Sequence, residues 1–215
     1  MAVQQREFSV EKALSYGWET TKNNLGLFIL LFLVVWVIEL LLSFLGGAVS
    51  RNAPIVGFLF NLIGYVVGLF LQMNLIKIAL EVYDNRQPRL EDLFVVPAHW
   101  ISYLIAGIIF GIVVGFGFLL LVIPGLYMLT RWFFFGYAIV DRGADATQSL
   151  GASWDLTRGH VLETFLFIVV LILLNIIGAI FFGIGLLITA PISLMAATYA
   201  YRTLRAPAAS SFRAG

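Results

Sequence analysis

The chain is 215 residues long, 61% hydrophobic and only 12% charged, with a mean hydropathy of +0.98; soluble domains carry about a quarter charged residues, so this composition excludes one and points to an integral membrane protein. A formal charge of +1 excludes the clustered basic surface that nucleic acid requires. The absence of cysteine excludes disulfides, thiolate metal sites and a cysteine nucleophile.

The leading segment mixes Arg6, Glu7, Glu11, Lys12, Glu19 and Lys22. It therefore does not read as the basic start of a signal peptide, and the first apolar run is expected to be a retained span. Ser9 is an expected N-cap. Val10, Ala13, Leu14, Gly17, Trp18 and Thr21 follow at helical spacing, which gives an amphipathic helix at the membrane surface. Apolar runs near 25–46 and 55–77 then each supply the roughly 20 residues of a span. A weaker amphipathic stretch, Leu90, Leu93, Phe94 and Trp100, is interrupted by Pro97. It introduces spans near 101–122 and 125–140, joined by the turn signal Ile123-Pro124-Gly125. The fourth span is short, which also suits a tilted or re-entrant segment. Asp145 is the expected cap of a third amphipathic helix with the stripe Ala146, Ser149, Leu150, Ser153, Trp154 and Thr157. Spans near 161–180 and 184–201 follow, meeting around Gly183 and Gly185.

An internal repeat underlies this order. Leu14, Trp18, Glu19, Thr21 and Lys22 recur as Leu150, Trp154, Asp155, Thr157 and Arg158 at a constant offset of 136 residues. The expected fold is all-α integral membrane: six transmembrane helices in three hairpins, each preceded by a short amphipathic helix at the cytoplasmic interface. It forms one polytopic domain over 1–203, with units at about 8–78, 88–141 and 144–203 and a flexible tail at 204–215. On this count 11 of the 13 Lys and Arg residues fall on one side, Arg51 falls on the other and Arg131 within a span. The positive-inside rule then puts both termini in the cytoplasm. Trp18, Trp100 and Trp154 are expected at the cytoplasmic interface as depth anchors, ring buried and N–H wet. A protein-docking face is the other use of such stripes.

The run Val122-Ile123-Pro124-Gly125-Leu126-Tyr127, then Arg131, Val140-Asp141 and Ser153-Trp154-Asp155-Leu156-Thr157-Arg158-Gly159, resembles the pattern of a broad prokaryotic family of membrane proteins. That family includes the membrane domain attached to some glycerophosphoryl diester phosphodiesterases. The similarity covers most of residues 8–203. Phosphodiesterase chemistry in that family belongs to a separate soluble barrel, so the resemblance implies fold and membrane location and carries over no catalytic residue.

Glu39 interrupts an apolar run at Val35–Leu42. Counting at 1.5 Å per residue puts it about 10 Å below the outer end of its span, with Arg131 and Asn61 each about 9 Å down and Asn175 similar. Matched depths suggest a polar layer in which Glu39 faces Arg131, with Asn61 and Asn175 completing their hydrogen bonds; an unpaired charge costs about 2.5–3.5 kcal/mol at mid-bilayer. Such a layer either fixes helix register as a dry ion pair or lines a watery pocket for a proton, ion or anionic headgroup. Gln72, Asn74 and Lys77 form a second polar group near the cytoplasmic end of the second span. Gly107, Gly111 and Gly115, with Gly64 and Gly68, are spaced for close helix approach, within the monomer or between two copies.

No HExxH, GxSxG or GxxxxGK occurs, and His99 and His160 lack a second ligand at helical spacing. Asp141, Asp145, Asp155, His160 and Glu163 could gather at the surface as a lipid-modifying site, against the ordinary alternative of capping and solvation. The expectation is a non-enzymatic membrane module without a cofactor, lipid-associated or accessory to a partner that is a lipid, a second copy or another membrane protein. The alternative is a small transporter or channel using Glu39 and Arg131.

Overall fold

The computed structural model describes residues 8–180 and 183–205. Residues 206–215 of the expected tail lie outside the described residues. Nine α-helices are described: α1 Val10–Asn23, α2 Leu25–Asn52, α3 Pro54–Tyr83, α4 Trp100–Leu120, α5 Val122–Arg131, α6 Phe135–Arg142, α7 Ala146–Leu156, α8 Val161–Ile180 and α9 Leu186–Arg205. A 3₁₀ turn, Leu90–Phe94, links α3 to α4. No strand occurs among the described residues.

Five segments are long and apolar enough to cross a membrane: α2, α3, α4, the stretch Val122–Arg142 made of α5 and α6, and α8. The chain is thus compatible with a multi-pass membrane protein. α9 is not one of the five. Its last turn carries Arg202 and Arg205, and Ile192, Met195, Ala196, Ala200 and Tyr201 are buried against neighbouring helices. A helix enclosed by protein does not need the uniformly apolar surface of one that faces lipid.

Two boundaries differ from the sequence expectation. α2 runs on through Gly46 and Gly47 to Asn52, leaving only Ala53 between it and α3, whose first residue is Pro54. The apolar residues around the two glycines favour helix, and Pro fits the first helical position because its missing N–H would be unpaired there anyway. The turn between α4 and α5 is the extended Leu121, φ −161° and ψ 144°, and Ile123-Pro124-Gly125 lies inside the start of α5. Pro124 is tolerated in that first turn for the same reason. Gly125 is needed there because a Cβ on it would stand 2.8 Å from the Phe118 backbone nitrogen.

The fourth apolar stretch is broken at 132–134, between α5 and α6. α6 ends at Gly143 in the left-handed conformation, φ 65°, a common helix stop. Asp145 then caps α7, its carboxylate accepting the Gln148 N–H at 2.8 Å and the Thr147 hydroxyl at 3.0 Å. These bonds, the backbone one first, hold the Asp145 carboxyl below its ordinary value. Ser9 caps α1 in the expected way, accepting the Lys12 N–H at 3.5 Å.

α2 packs on α3, α4 on α5 and α8 on α9, while α1 docks on α9, the 3₁₀ turn on α3 and α7 on α6. α1 lies along α9, with Gly17 against the Ile192 carbonyl and Ala196. The 3₁₀ turn is tied to α3 by the buried Asn74, whose Nδ2 donates to the carbonyls of Leu93 and Val95, both at 2.8 Å. α7 packs against α6 and the break before it. The stripes read as membrane-facing are therefore docking faces for the chain's own helices. Ala13, Gly17 and Thr21 of α1 are buried, as are Ser149, Ser153 and Thr157 at an offset of 136 residues, while Trp18 is 54% exposed.

One end of the molecule is closed by charge. Arg202 bridges Asp84 at 2.6 Å and Asp141 at 3.2 Å, Arg205 also pairs with Asp141, and the Tyr201 hydroxyl donates to Asp141 at 2.9 Å. Three elements, α3, α6 and α9, are joined there.

Candidate functional site

Two cavities open beside each other in the apolar part of the fold. The first, about 660 Å³, lies between α2, α3 and the start of α9, and Trp36, Glu39, Asn61, Gly68 and Leu187 are among its walls. The second, about 850 Å³, is bordered by α2, α3, α4, α6, α8 and α9, with Tyr103, Phe110, Tyr137, Asn175 and Ser193 on its walls. Phe32, Tyr65, Leu69, Gln72, Leu75 and Ala190 line both. Each volume falls within the roughly 300–1,000 Å³ range of small-molecule sites, and the mostly apolar walls with a few polar groups have the usual chemistry of such sites.

The expected polar layer is divided among these places. Glu39 is exposed on the wall of the first cavity, with Oε1 3.9 Å from where a Cβ on Gly68 would stand. Asn61 lines the same cavity further along, against Gly46, and its amide donates to the Gly57 carbonyl at 2.9 Å and to Ser50 Oγ at 3.4 Å. Gly46 and Glu39 are separated by seven residues of α2, or about 10 Å, so the two polar groups are not at one depth. The count failed because it ended α2 at Gly46, six residues early. Asn175 belongs to the second cavity, where Nδ2 donates to Ser193 Oγ at 2.7 Å and to the Leu171 carbonyl at 2.8 Å. Its Oδ1 is enclosed without a partner.

Arg131 lines neither cavity, and no ion pair joins it to Glu39. It is 3% exposed at the end of α5, with its guanidinium carbon 4.0 Å from the centre of the Trp154 ring. α7 delivers that ring. The Ser153 hydroxyl donates to the Arg131 carbonyl at 2.9 Å and accepts the Phe134 N–H at 3.0 Å, so one side chain satisfies both backbone groups freed by the helix break. Thr157 adds a longer bond to the same carbonyl, 3.4 Å.

The other expected residues also find definite places. Trp100 packs edge-on against Phe70 at 5.4 Å, and Trp154 is half-buried against Arg131, so of the three only Trp18 stands largely free. A Cβ on Gly107, Gly111 or Gly115 would meet nothing within 4 Å, and these residues do not mediate packing within the monomer. Gly64 and Gly68 have only ordinary contacts, with Leu42 and Glu39. Close approach occurs instead at Gly17, Gly117 and Gly178.

Tyr65 and Gln72 were missed as cavity residues. Their spacing of seven, two helical turns, with Gly68 between them, is a stripe that could have been read from α3. Of Asp141, Asp145, Asp155, His160 and Glu163 no three are placed to hold a metal, nor are any other three His, Asp or Glu side chains among the described residues. Asp141 is engaged by Arg202 and Arg205, and Asp145 by its cap.

Residues 93–213 match the family model described as a domain of unknown function, DUF7847. The chain belongs to this family. The DUF7847 segment contains α4 to α9, and with them Arg131, Trp154 and Asn175; Glu39, Asn61 and Gln72 precede it. No curated protein and no solved structure matches the chain.

Proposed function

We propose that the protein is a lipid-associated module of the prokaryotic inner membrane, without catalytic activity of its own, which holds an amphiphile in its paired cavities. In this reading α9 is the sixth span and the pairs α2/α3, α4/α5–α6 and α8/α9 are three hairpins. α1, the 3₁₀ turn and α7 lie on the cytoplasmic side with both termini. The excess of Lys and Arg on that side supports the orientation.

The observation that carries the proposal is the pair of adjoining cavities, apolar over most of their walls, with Glu39, Asn61 and Gln72 on one side. Apolar walls suit acyl chains, and the few polar groups suit a headgroup or linkage. The same Glu39 supports the second reading, a small-solute or proton pathway, because ionisable groups within spans often mark such routes.

Lipid extracted from the purified full chain and weighed by mass spectrometry tests the proposal. Ala190→Trp, which thrusts an indole into the wall shared by both cavities, should reduce bound lipid severalfold while the melting temperature stays close to that of the parent. Equal lipid in the two proteins would overturn the reading. Saturable flux of a solute into liposomes, abolished by Glu39→Gln, would favour the pathway instead.

A further inference from the structure

Arg131 is 3% exposed, yet its side chain has no hydrogen-bonded acceptor and no ion pair among the described residues. Ion pairs there belong to Arg202 and Arg205 alone. Of the acidic residues that follow it in sequence, Asp141 is taken by Arg202 and Arg205, Asp145 caps α7, and Asp155 and Glu163 are exposed; none forms an ion pair with it. A guanidinium presents five donors and keeps its charge under all ordinary conditions, so a nearly enclosed one without an acceptor calls for an anion.

The surroundings are built to present this group. Trp154 supports one flat face of the guanidinium at 4.0 Å, which attracts the cation and fixes its plane. Ser153 and Thr157 hold the Arg131 backbone from the same helix. Nε is fully enclosed and unpaired, which leaves the outer edge, with the two terminal nitrogens, as the side that a ligand can reach. Paired donors in one plane match two oxygens of a phosphate. By count Arg131 falls midway along the stretch Val122–Arg142, but its contacts with α7 set its level. Thr157 brings the connection to α8 beside Arg131, and α8 starts at Val161 as an apolar segment long enough to cross a membrane. Headgroup phosphates lie where such a span begins. Arg158, exposed in that connection, adds positive charge.

We propose that Arg131, seated on Trp154, anchors a site for a phosphate-bearing anion, with the headgroup of an anionic phospholipid as the occupant that this position favours. The site is separate from the paired cavities, since Arg131 and Trp154 line neither, so the two proposals can fail independently.

The test uses the full chain in detergent with ¹⁵N-labelled arginine, the Arg131 Nε–Hε signal being assigned through Arg131→Lys. Adding phosphatidylglycerol should shift that signal, whereas phosphatidylcholine, with no net charge, should not. In Arg131→Met half-saturation by phosphatidylglycerol should require about tenfold more lipid or greater, as expected for loss of a charge-assisted contact. Inorganic phosphate distinguishes the sources. If it moves the same signal and competes with the lipid, the site takes free phosphate as well; if it does neither, the occupant is the headgroup. A wild-type signal that answers to none of the three additions, or answers equally to phosphatidylcholine, overturns the proposal. So does a folded Arg131→Met that binds phosphatidylglycerol as the parent does. Should that variant not fold, the wild-type titration still decides.

Discussion

Ser153 closes the helix break at Arg131 from 22 residues further along the chain, donating to the Arg131 carbonyl at 2.9 Å while accepting the Phe134 N–H at 3.0 Å. Without it, a buried carbonyl and a buried N–H would be short of partners in an apolar setting, where water does not replace them. Ser153→Ala is expected to cost about 1–3 kcal/mol, the usual range for stranding a buried polar group. Thermal unfolding in detergent measures this loss, and Ser153→Thr tests whether the hydroxyl alone suffices in so enclosed a place. A melting curve for Ser153→Ala that overlays the parent's would mean that the break is held by packing instead.

Gly17 stands 136 residues before Ser153 in the chain, but it meets a continuous helix. A Cβ there would stand 3.0 Å from the Ala196 nitrogen and collide with the Ile192 carbonyl, both backbone atoms that cannot swing aside. Gly17→Ala should therefore lift α1 from α9. The expected cost is about 1–3 kcal/mol of overpacking, partly offset by a helix-propensity gain of up to about 1 kcal/mol. Faster proteolysis within α1 would report the same change. Gly26→Ala serves as the control, because nothing lies within 4 Å of its Cβ position and stability should hold or rise slightly.

These two positions also show what could be read from the chain. The caps at Ser9 and Asp145 and most helices follow from periodicity and local polar chemistry, which are written in neighbouring residues. The destination of the amphipathic stripes does not. Ala13, Gly17 and Thr21 are small enough to suit either lipid or helix packing, and only the placement of α9 decides between them. The break at 132–134 contains no Gly or Pro to announce it, since its stabilising group sits on α7. The partner of Arg131 was misassigned for the same reason. Depth counting along separate spans compares distances to their ends, whereas Trp154 reaches Arg131 through the fold of an element outside the spans.

The separation of Glu39 from Arg131 makes a sharp energetic claim. Glu39 is exposed in the first cavity, and Arg131 is held by Trp154 away from it. Glu39→Gln and Arg131→Met should thus be additive within about 0.3–0.5 kcal/mol, as expected for sites without shared partners. Arg131→Met and Trp154→Leu should not be additive, because either change alone removes the stacking. Chemical unfolding of the single and double variants checks both cycles. A coupling above about 1 kcal/mol between Glu39 and Arg131 would place the two groups in contact after all.

Acid should loosen the α7 start only below the pH at which an ordinary surface carboxylate takes up its proton, and the sign follows from the cap. Hydrogen bonds from the Gln148 and Thr147 backbone and the Thr147 hydroxyl favour the charged form of Asp145 and hold its folded value below the unfolded one. The resulting stability is fully present above the unfolded value. It is lost progressively as the pH falls through the folded value, where the native carboxylate takes up its proton. Asp145→Asn keeps an acceptor for the Gln148 N–H but has no proton to gain, so its stability curve should be flatter in acid and meet the parent curve there. Because α7 carries Ser153 and Trp154, loosening of this cap should also appear at the helix break, as faster hydrogen exchange of the Phe134 N–H in the parent at low pH than in Asp145→Asn. Equal exchange in the two proteins across that window would separate the cap from the break and leave Ser153 as a purely local clasp.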